Sequence, residues 1–234
     1  MDKLLTILRR ALNYLFPPTR RIRSQYSGVL EVTWYEGRKV LNSAQANYSY
    51  GPLQRVLRYG LLFTEPATAG PILVLGLGGG SVVQTLREEL QAPGPITAVE
   101  LDPVIVQIAA EEFGVRPDAT LRIVCADAFA WVATAPPAAF GLVVIDLFFD
   151  LSLPPGVSTA AFWEHITRVL RPGGRVLFNT LLTSEVVVKG QEIAAYLDGQ
   201  GFAVQEVEVE NYNRLLVLRK PGAAAPAASG PVEG

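Results

Sequence analysis

The chain has one cysteine and one histidine in 234 residues, and it has no surplus of positive charge, the net being −2. A lone cysteine, Cys125, excludes an internal disulfide and fits a reducing compartment, so the expected location is cytoplasmic. Because Cys125 falls in an apolar strand pattern, it reads as a small core residue and not as a nucleophile. His165 lies in a predicted helix with no Cys or second His beside it, which points to a surface or groove residue and to no metal site. Also missing is any apolar run of the roughly eighteen residues that a transmembrane helix needs. The slightly negative charge argues against a general nucleic-acid binder.

Half the residues are apolar, enough for one large domain with a small appendage. Charge is uneven along the chain. Residues 1–23 hold Lys3, Arg9, Arg10, Arg20, Arg21 and Arg23 against Asp2 alone. Within them Leu4, Leu5, Leu8, Leu12 and Leu15 recur at helical spacing until Pro17-Pro18 stops the helix. Such a basic amphipathic helix suits packing on the main domain or on a second subunit, with peripheral contact to anionic lipid as the alternative. From Ser27 to Leu41 the pattern alternates: Leu30, Val32 and Trp34 share one face, and Glu36-Gly37 makes the turn of a β-hairpin. That hairpin edge and the N-terminal helix are the features a homodimer would use. Residues 221–234 include 11 Ala, Gly or Pro and read as a disordered tail.

The rest of the chain is organised around Ile72 to Asp102. An apolar run, Ile72-Leu73-Val74-Leu75, leads into Gly76-Leu77-Gly78-Gly79-Gly80-Ser81, a helical segment, and then Ile96 to Glu100. This predicts a strand, a glycine turn, a helix whose N-terminus faces the same crevice, and a second strand tipped by an acid. Glu100, 22 residues after Gly78, is placed to accept from both hydroxyls of a ribose. The alternation continues. A helix runs from Val104 to Phe113, a strand from Leu121 to Cys125 ending in Ala126-Asp127-Ala128, and a strand from Phe140 to Ile145 ending in Asp146. A helix over Ser158–Leu170, a turn at Arg171-Pro172-Gly173-Gly174 and a strand over Arg175–Asn179 follow. A helix over Val187–Leu197 and a closing strand pair, Ala203–Val207 and Arg214–Leu218, complete the pattern. Continuous apolar strands separated by helices predict an α/β fold with a mainly parallel sheet, and a ligand crevice beyond the strands' carboxyl ends. For Asp127 a helix N-cap is an equally good reading, and for Asp146 a turn or capping acid.

With Gly76-Leu77-Gly78-Gly79-Gly80, Glu100-Leu101-Asp102, Asp127-Ala128, Asp146 and Arg171-Pro172-Gly173-Gly174 in this order, residues 27–219 resemble the class I S-adenosylmethionine-dependent methyltransferase superfamily. The hairpin before the glycine turn makes the chain similar to the spermidine synthase-like group within it. The resemblance implies a Rossmann-like methyltransferase fold, a seven-stranded sheet with an antiparallel last strand behind a small N-terminal β-hairpin subdomain. Together with the composition of the two ends, this divides the chain into a basic segment over 1–26, the hairpin and a linking helix over 27–63, the nucleoside-binding domain over 64–220 and the tail over 221–234. The resemblance also implies S-adenosylmethionine, or its decarboxylated form, as cofactor. Gly76, Gly78 and Gly80 would lie along its amino acid end, Glu100 at the ribose, Asp127 and Ala128 at the adenine, and Asp146 at the methionine portion and the substrate entrance.

The sequence departs from spermidine synthases in three places. They resemble one another in having an acid in the glycine turn, where this chain has Gly79. They have a second acid three residues after the fourth-strand aspartate, where it has Phe149, and Tyr-His or Tyr-Gln where it has Tyr50-Gly51. An acid in the turn suits a donor without a carboxylate and would repel intact S-adenosylmethionine, and Leu147-Phe148-Phe149 offers no carboxylates to a polyamine. Methyl transfer to a small acceptor is therefore the expectation, with Asp146, Asp150 and Tyr50 as catalytic candidates and Tyr48 behind them. Aminopropyl transfer using Asp150, and nucleoside binding without turnover, are the alternatives.

Overall fold

A computed structural model describes residues 18–210 and 212–222. The N-terminal amphipathic helix expected before Pro17 and the tail beyond residue 222 lie outside the described residues. The chain opens with four short strands, β1 (Arg20–Arg23), β2 (Val29–Tyr35), β3 (Arg38–Asn42) and β4 (Asn47–Ser49), paired antiparallel in that order. The predicted hairpin is β2–β3, turned by Glu36 and Gly37, both at left-handed φ. Its two outer partners carry no alternating signal, β1 being basic and β4 only three residues long. Helix α1 (Gly51–Leu62) then leads to β5 (Ile72–Leu75).

From there strands and helices alternate. Helix α2 (Ser81–Gln84) runs on into a π turn over Thr85–Glu89, followed by β6 (Ile96–Glu100) and α3 (Pro103–Glu112). Next come β7 (Leu121–Cys125), α4 (Ala128–Thr134), β8 (Phe140–Ile145), α5 (Ala160–Val169) and β9 (Leu170–Leu181). Two residue pairs, β10 (Val187–Val188) and β11 (Gln191–Glu192), precede α6 (Ile193–Gly199), β12 (Ala203–Val209) and β13 (Asn213–Arg219). Seven of these strands form one sheet in the order β12-β13-β9-β8-β5-β6-β7, parallel from β9 to β7, with β13 antiparallel to both neighbours.

All four residues of β5 are fully buried, because both faces of the sheet are covered. Leu73 and Leu75 enter one core with Trp163, Phe162 and Phe178, while Ile72 and Val74 enter the other with Val56, Leu57 and Leu86. This two-sided burial is why the strand reads as an unbroken apolar run. The small sheet packs Leu30, Val32 and Leu41 on Ile105 and Ile108 of α3, and Lys39 reaches Glu112 at 2.8 Å. It thereby stands over the carboxyl ends of β5 and β6.

Four local expectations are corrected. Trp34 does not share the burial of Leu30 and Val32; it is exposed, beyond the part of the hairpin that α3 covers. Cys125 is exposed and not a core residue, since it is the last residue of edge strand β7. The Pro172-Gly173-Gly174 turn is a bulge inside β9: Phe140 and Leu142 of β8 face Leu170 and Arg175, with Gly173 at φ 74. The helix expected from Val187 starts only at Ile193, because Lys189 and Gly190 both take left-handed φ and fold the preceding residues into a tight hairpin.

Candidate active site

The sheet order reverses at β5, whose two neighbours are β6 and β8. A crevice opens where strand connections leave in opposite directions, and here it is a cavity of about 750 Å³. Gly76 and Gly78 line it from the end of β5, Glu100 from β6, Asp127 and Ala128 from the end of β7, and Asp146 from the end of β8. The roof comes from the small sheet and from the segment after β8, including Tyr48, Phe149 and Asp150.

The backbone at Gly76 is forced by this crossing. Its φ is 92, and a Cβ there would meet the Asp146 carbonyl oxygen at 2.1 Å, while Asp146 N–H donates to Leu75 O at 2.9 Å. Gly76→Ala must therefore separate the ends of β5 and β8. We expect it to destabilise the fold by about 3 kcal/mol or more, in the range of overpacked and strained positions. A urea unfolding midpoint within error of the parent would contradict this.

Glu100 is almost fully buried. One carboxylate oxygen accepts from Leu77 N–H (3.1 Å) and Gly78 N–H (3.2 Å), the other from Asp102 N–H (3.0 Å). The acid is thus tied to the glycine turn it was expected to work with. Burial pushes its carboxyl above the usual range, the three amide hydrogen bonds opposing that rise and the nearby Asp102 charge adding to it. Asp127 caps α4 by accepting from Ala130 N–H at 2.8 Å, and it remains exposed at the cavity's edge. The capping reading is correct for one of its oxygens.

Asp146 accepts from Asn179 Nδ2 at 2.8 Å, and Asn213 Nδ2 donates to Asn179 Oδ1 at 3.0 Å. Loss of hydration pushes the Asp146 carboxyl up to about 6, against the Asn179 hydrogen bond that favours its ionised form. Asp150, at φ 57, turns back toward the small sheet: its carboxylate accepts from Ser43 Oγ and its N–H donates to Tyr48 Oη at 3.1 Å. Tyr48 Oη in turn donates to Ser27 Oγ at 2.8 Å.

Two expected site residues stand elsewhere. Tyr50 does not line the cavity: at φ 65 its ring turns behind the glycine turn, stacks on Phe113 at 4.5 Å and donates its hydroxyl to Gly79 O at 3.2 Å. Burial raises its phenol above the usual range, which suits a packed hydroxyl and not a proton acceptor. Gly80 does not line the cavity either; it caps α2 in left-handed conformation, and a Cβ there would strike Val115 at 2.6 Å. Sequence reasoning missed Asn179 and Asn213. Their signal is a polar residue flanking an apolar run, Asn179 after Val176-Leu177-Phe178 in β9 and Asn213 at the start of β13.

Among the described residues, no group of His, Cys, Asp and Glu could hold a metal ion, and no helix is long and apolar enough to cross a membrane.

Known proteins agree with this architecture. Residues 72–174 match the family described as a methyltransferase domain. Over 171 residues the chain is 30% identical to a polyamine aminopropyltransferase of Vibrio vulnificus, covering 72% of this chain and 56% of that protein. It is 32% identical over 114 residues to a malonyl-[acyl-carrier protein] O-methyltransferase of a Paenibacillus species, covering 49% of this chain and 40% of that one. It thus spans about half the length of these curated relatives, or less.

Among solved structures, a probable spermidine synthase from Corynebacterium glutamicum superposes with a TM-score of 0.61 at 18% identity, covering 88% of this chain and 77% of that one. Human methyltransferase-like protein 13, in complex with SAH, superposes at 0.57 with 20% identity, covering 76% and 86%. The fold is that of the class I S-adenosylmethionine-dependent methyltransferases, and residues 72–174 carry the similarity to their methyltransferase domain. Within that class, the relatives and structures it resembles include a polyamine aminopropyltransferase and a probable spermidine synthase.

Proposed function

We propose that the chain is an S-adenosylmethionine-dependent transferase that moves a methyl group to a small acceptor. The observation that carries this reading is the meeting, at one switch point, of the bare turn at Gly76 and Gly78 with Glu100, Asp127 and Asp146 in a single cavity. These groups fit the nucleoside. Three backbone amides orient Glu100 for the ribose, the second Asp127 oxygen and the Ala128 N–H suit the adenine edge, and the turn suits the amino acid end. Bound there, the cofactor supplies an electrophilic carbon on a sulfonium. The protein's own part is to align an acceptor with that carbon, exclude water and take a proton at Asp146.

Methyl transfer is favoured by the turn itself. A Cβ on Gly79 would lie 2.9 Å from Ser49 Cβ and 3.1 Å from a ring carbon of Tyr50, so an acid there would need the small sheet to shift. Without that acid the turn can admit a donor that keeps its carboxylate. Two observations favour aminopropyl transfer as the second reading: Asp150 lines the cavity one position after the acid it would replace, and the Vibrio relative bears that activity in its name.

Titration calorimetry with methylthioadenosine, decarboxylated S-adenosylmethionine and intact S-adenosylmethionine separates the readings. We expect the intact donor to bind more tightly than the decarboxylated one. The opposite order would transfer the assignment to aminopropyl chemistry, and silence from all three would leave only the architecture.

A further inference from the structure

We infer that the outer part of the cavity takes a monoamine with an apolar body as the acceptor, an inference that rests on the transferase reading above. Among the described lining residues there are six carboxylates, Glu100, Asp102, Asp127, Asp146, Asp150 and Glu210, and no Lys, Arg or His. Four already have settled partners. Glu100 holds three amides, and Asp127 caps α4. Asp102 accepts from Ser24 Oγ and from the Gln25 and Val104 amides, and Glu210 pairs with Arg55 at 3.0 Å.

Asp146 and Asp150 each accept from a single neutral side chain, Asn179 for one and Ser43 for the other, and among the described residues neither caps a helix nor pairs with a cation. A carboxylate or phosphate acceptor would enter beside them without a counter-charge, a repulsion strengthened where protein walls exclude water. An ammonium is drawn to the same place. It can give its proton to Asp146 and become the neutral nucleophile. The nitrogen lone pair then forms the bond to carbon as the carbon–sulfur bond breaks, its electron pair staying on sulfur.

The remainder of the wall decides how many positive charges the acceptor carries. Phe149, Leu151, Leu182 and Tyr212 all line the cavity and are all exposed. Apolar side chains clustered at the mouth of a cleft mark a binding surface. An ammonium beyond the reach of Asp146 and Asp150 would lie against them unpaired, which is costly. An alkyl or aryl group would bury them. One charged end and one apolar body satisfy both halves of the wall.

The test titrates the full chain with hexylamine, 1,4-diaminobutane and hexanoate, each with and without saturating methylthioadenosine. We expect hexylamine to bind at least about tenfold more tightly than the diamine, as the loss of one charge's solvation implies. Hexanoate should give no saturable heat. In Leu151→Ser and Leu182→Ser, both surface changes, the preference for hexylamine should shrink severalfold. A diamine that binds as tightly as hexylamine, saturable hexanoate binding, or a preference untouched by either variant would overturn the inference. Methylthioadenosine binding alongside any of those results leaves the transferase reading in place. Absence of nucleoside binding would remove both.

Discussion

Replacing Glu100 with glutamine is expected to weaken nucleoside binding by one to two orders of magnitude. The carboxylate offers charge-assisted acceptance to ribose hydroxyls, each such bond contributing about 1.5–3 kcal/mol. A neutral amide loses that charge and also half of its accepting capacity. Its NH₂ must face either Asp102 N–H or the Leu77 and Gly78 amides, so at least one buried donor is left unpaired. Relief of the buried charge offsets part of this in the free protein, so Glu100→Gln should lose affinity more than stability. Glu100→Ala orphans all three amides and should lose both, at about 1–3 kcal/mol per amide. Calorimetry with methylthioadenosine, paired with thermal unfolding of both variants, measures the two effects. Parent-like affinity in Glu100→Gln would show that the sugar is held elsewhere.

Asp146→Asn has the opposite signature: a more stable protein that does not turn over. The Asp146 carboxyl sits at about 6 in the folded protein against an ordinary 3.8. Between those values the folded state holds the extra proton, so stability contributed by this group falls as pH rises from about 4 to 6 and stays reduced above. Asparagine never ionises and keeps an oxygen for Asn179 Nδ2. The variant should therefore unfold at a higher temperature than the parent at pH 8, by a margin worth at most about 3 kcal/mol and smaller as far as water reaches the side chain. At pH 5 the gain should be smaller. Transfer activity should drop on the order of a hundredfold or more, as when a proton acceptor is removed. In the parent, the rate should rise with pH through a midpoint near 6, where Asp146 ionises. A variant that is less stable than the parent at pH 8 would mean that the carboxylate is not held at a cost. A rate unaffected by the substitution would move the proton acceptor to another group.

Both predictions use residues that were visible before the fold was known. Glu100 and Asp146 are single acids closing apolar runs, and an acid is tolerated at such a strand end because hydrogen-bond donors meet it there: three amides for Glu100 and Asn179 for Asp146. The same logic did not extend to Tyr50. Its position after β4 is close in sequence to Tyr48, yet its left-handed backbone and the Phe113 ring send it to the far side of the glycine turn. Nothing within a few residues of Tyr50 encodes that, because Phe113 lies at the end of a helix far along the chain. Asp150 shows the reverse: one position out of the expected register, it lines the cavity because a left-handed φ turns it toward Ser43.

What the amino-acid order determined alone was the alternation of buried strands and helices, the glycine turn and the acids that end the strands. Apolar period, bare glycine and strand-end charge act over a few residues and need no distant partner. Only the tertiary structure decided which polar groups share the cavity, that Asn213 and Asn179 reach Asp146 in series, and that the mouth is apolar and acidic with no cation among the described lining residues. Those outcomes depend on pairing between strands and loops far apart in the chain, where a side chain's direction is set by what packs against it.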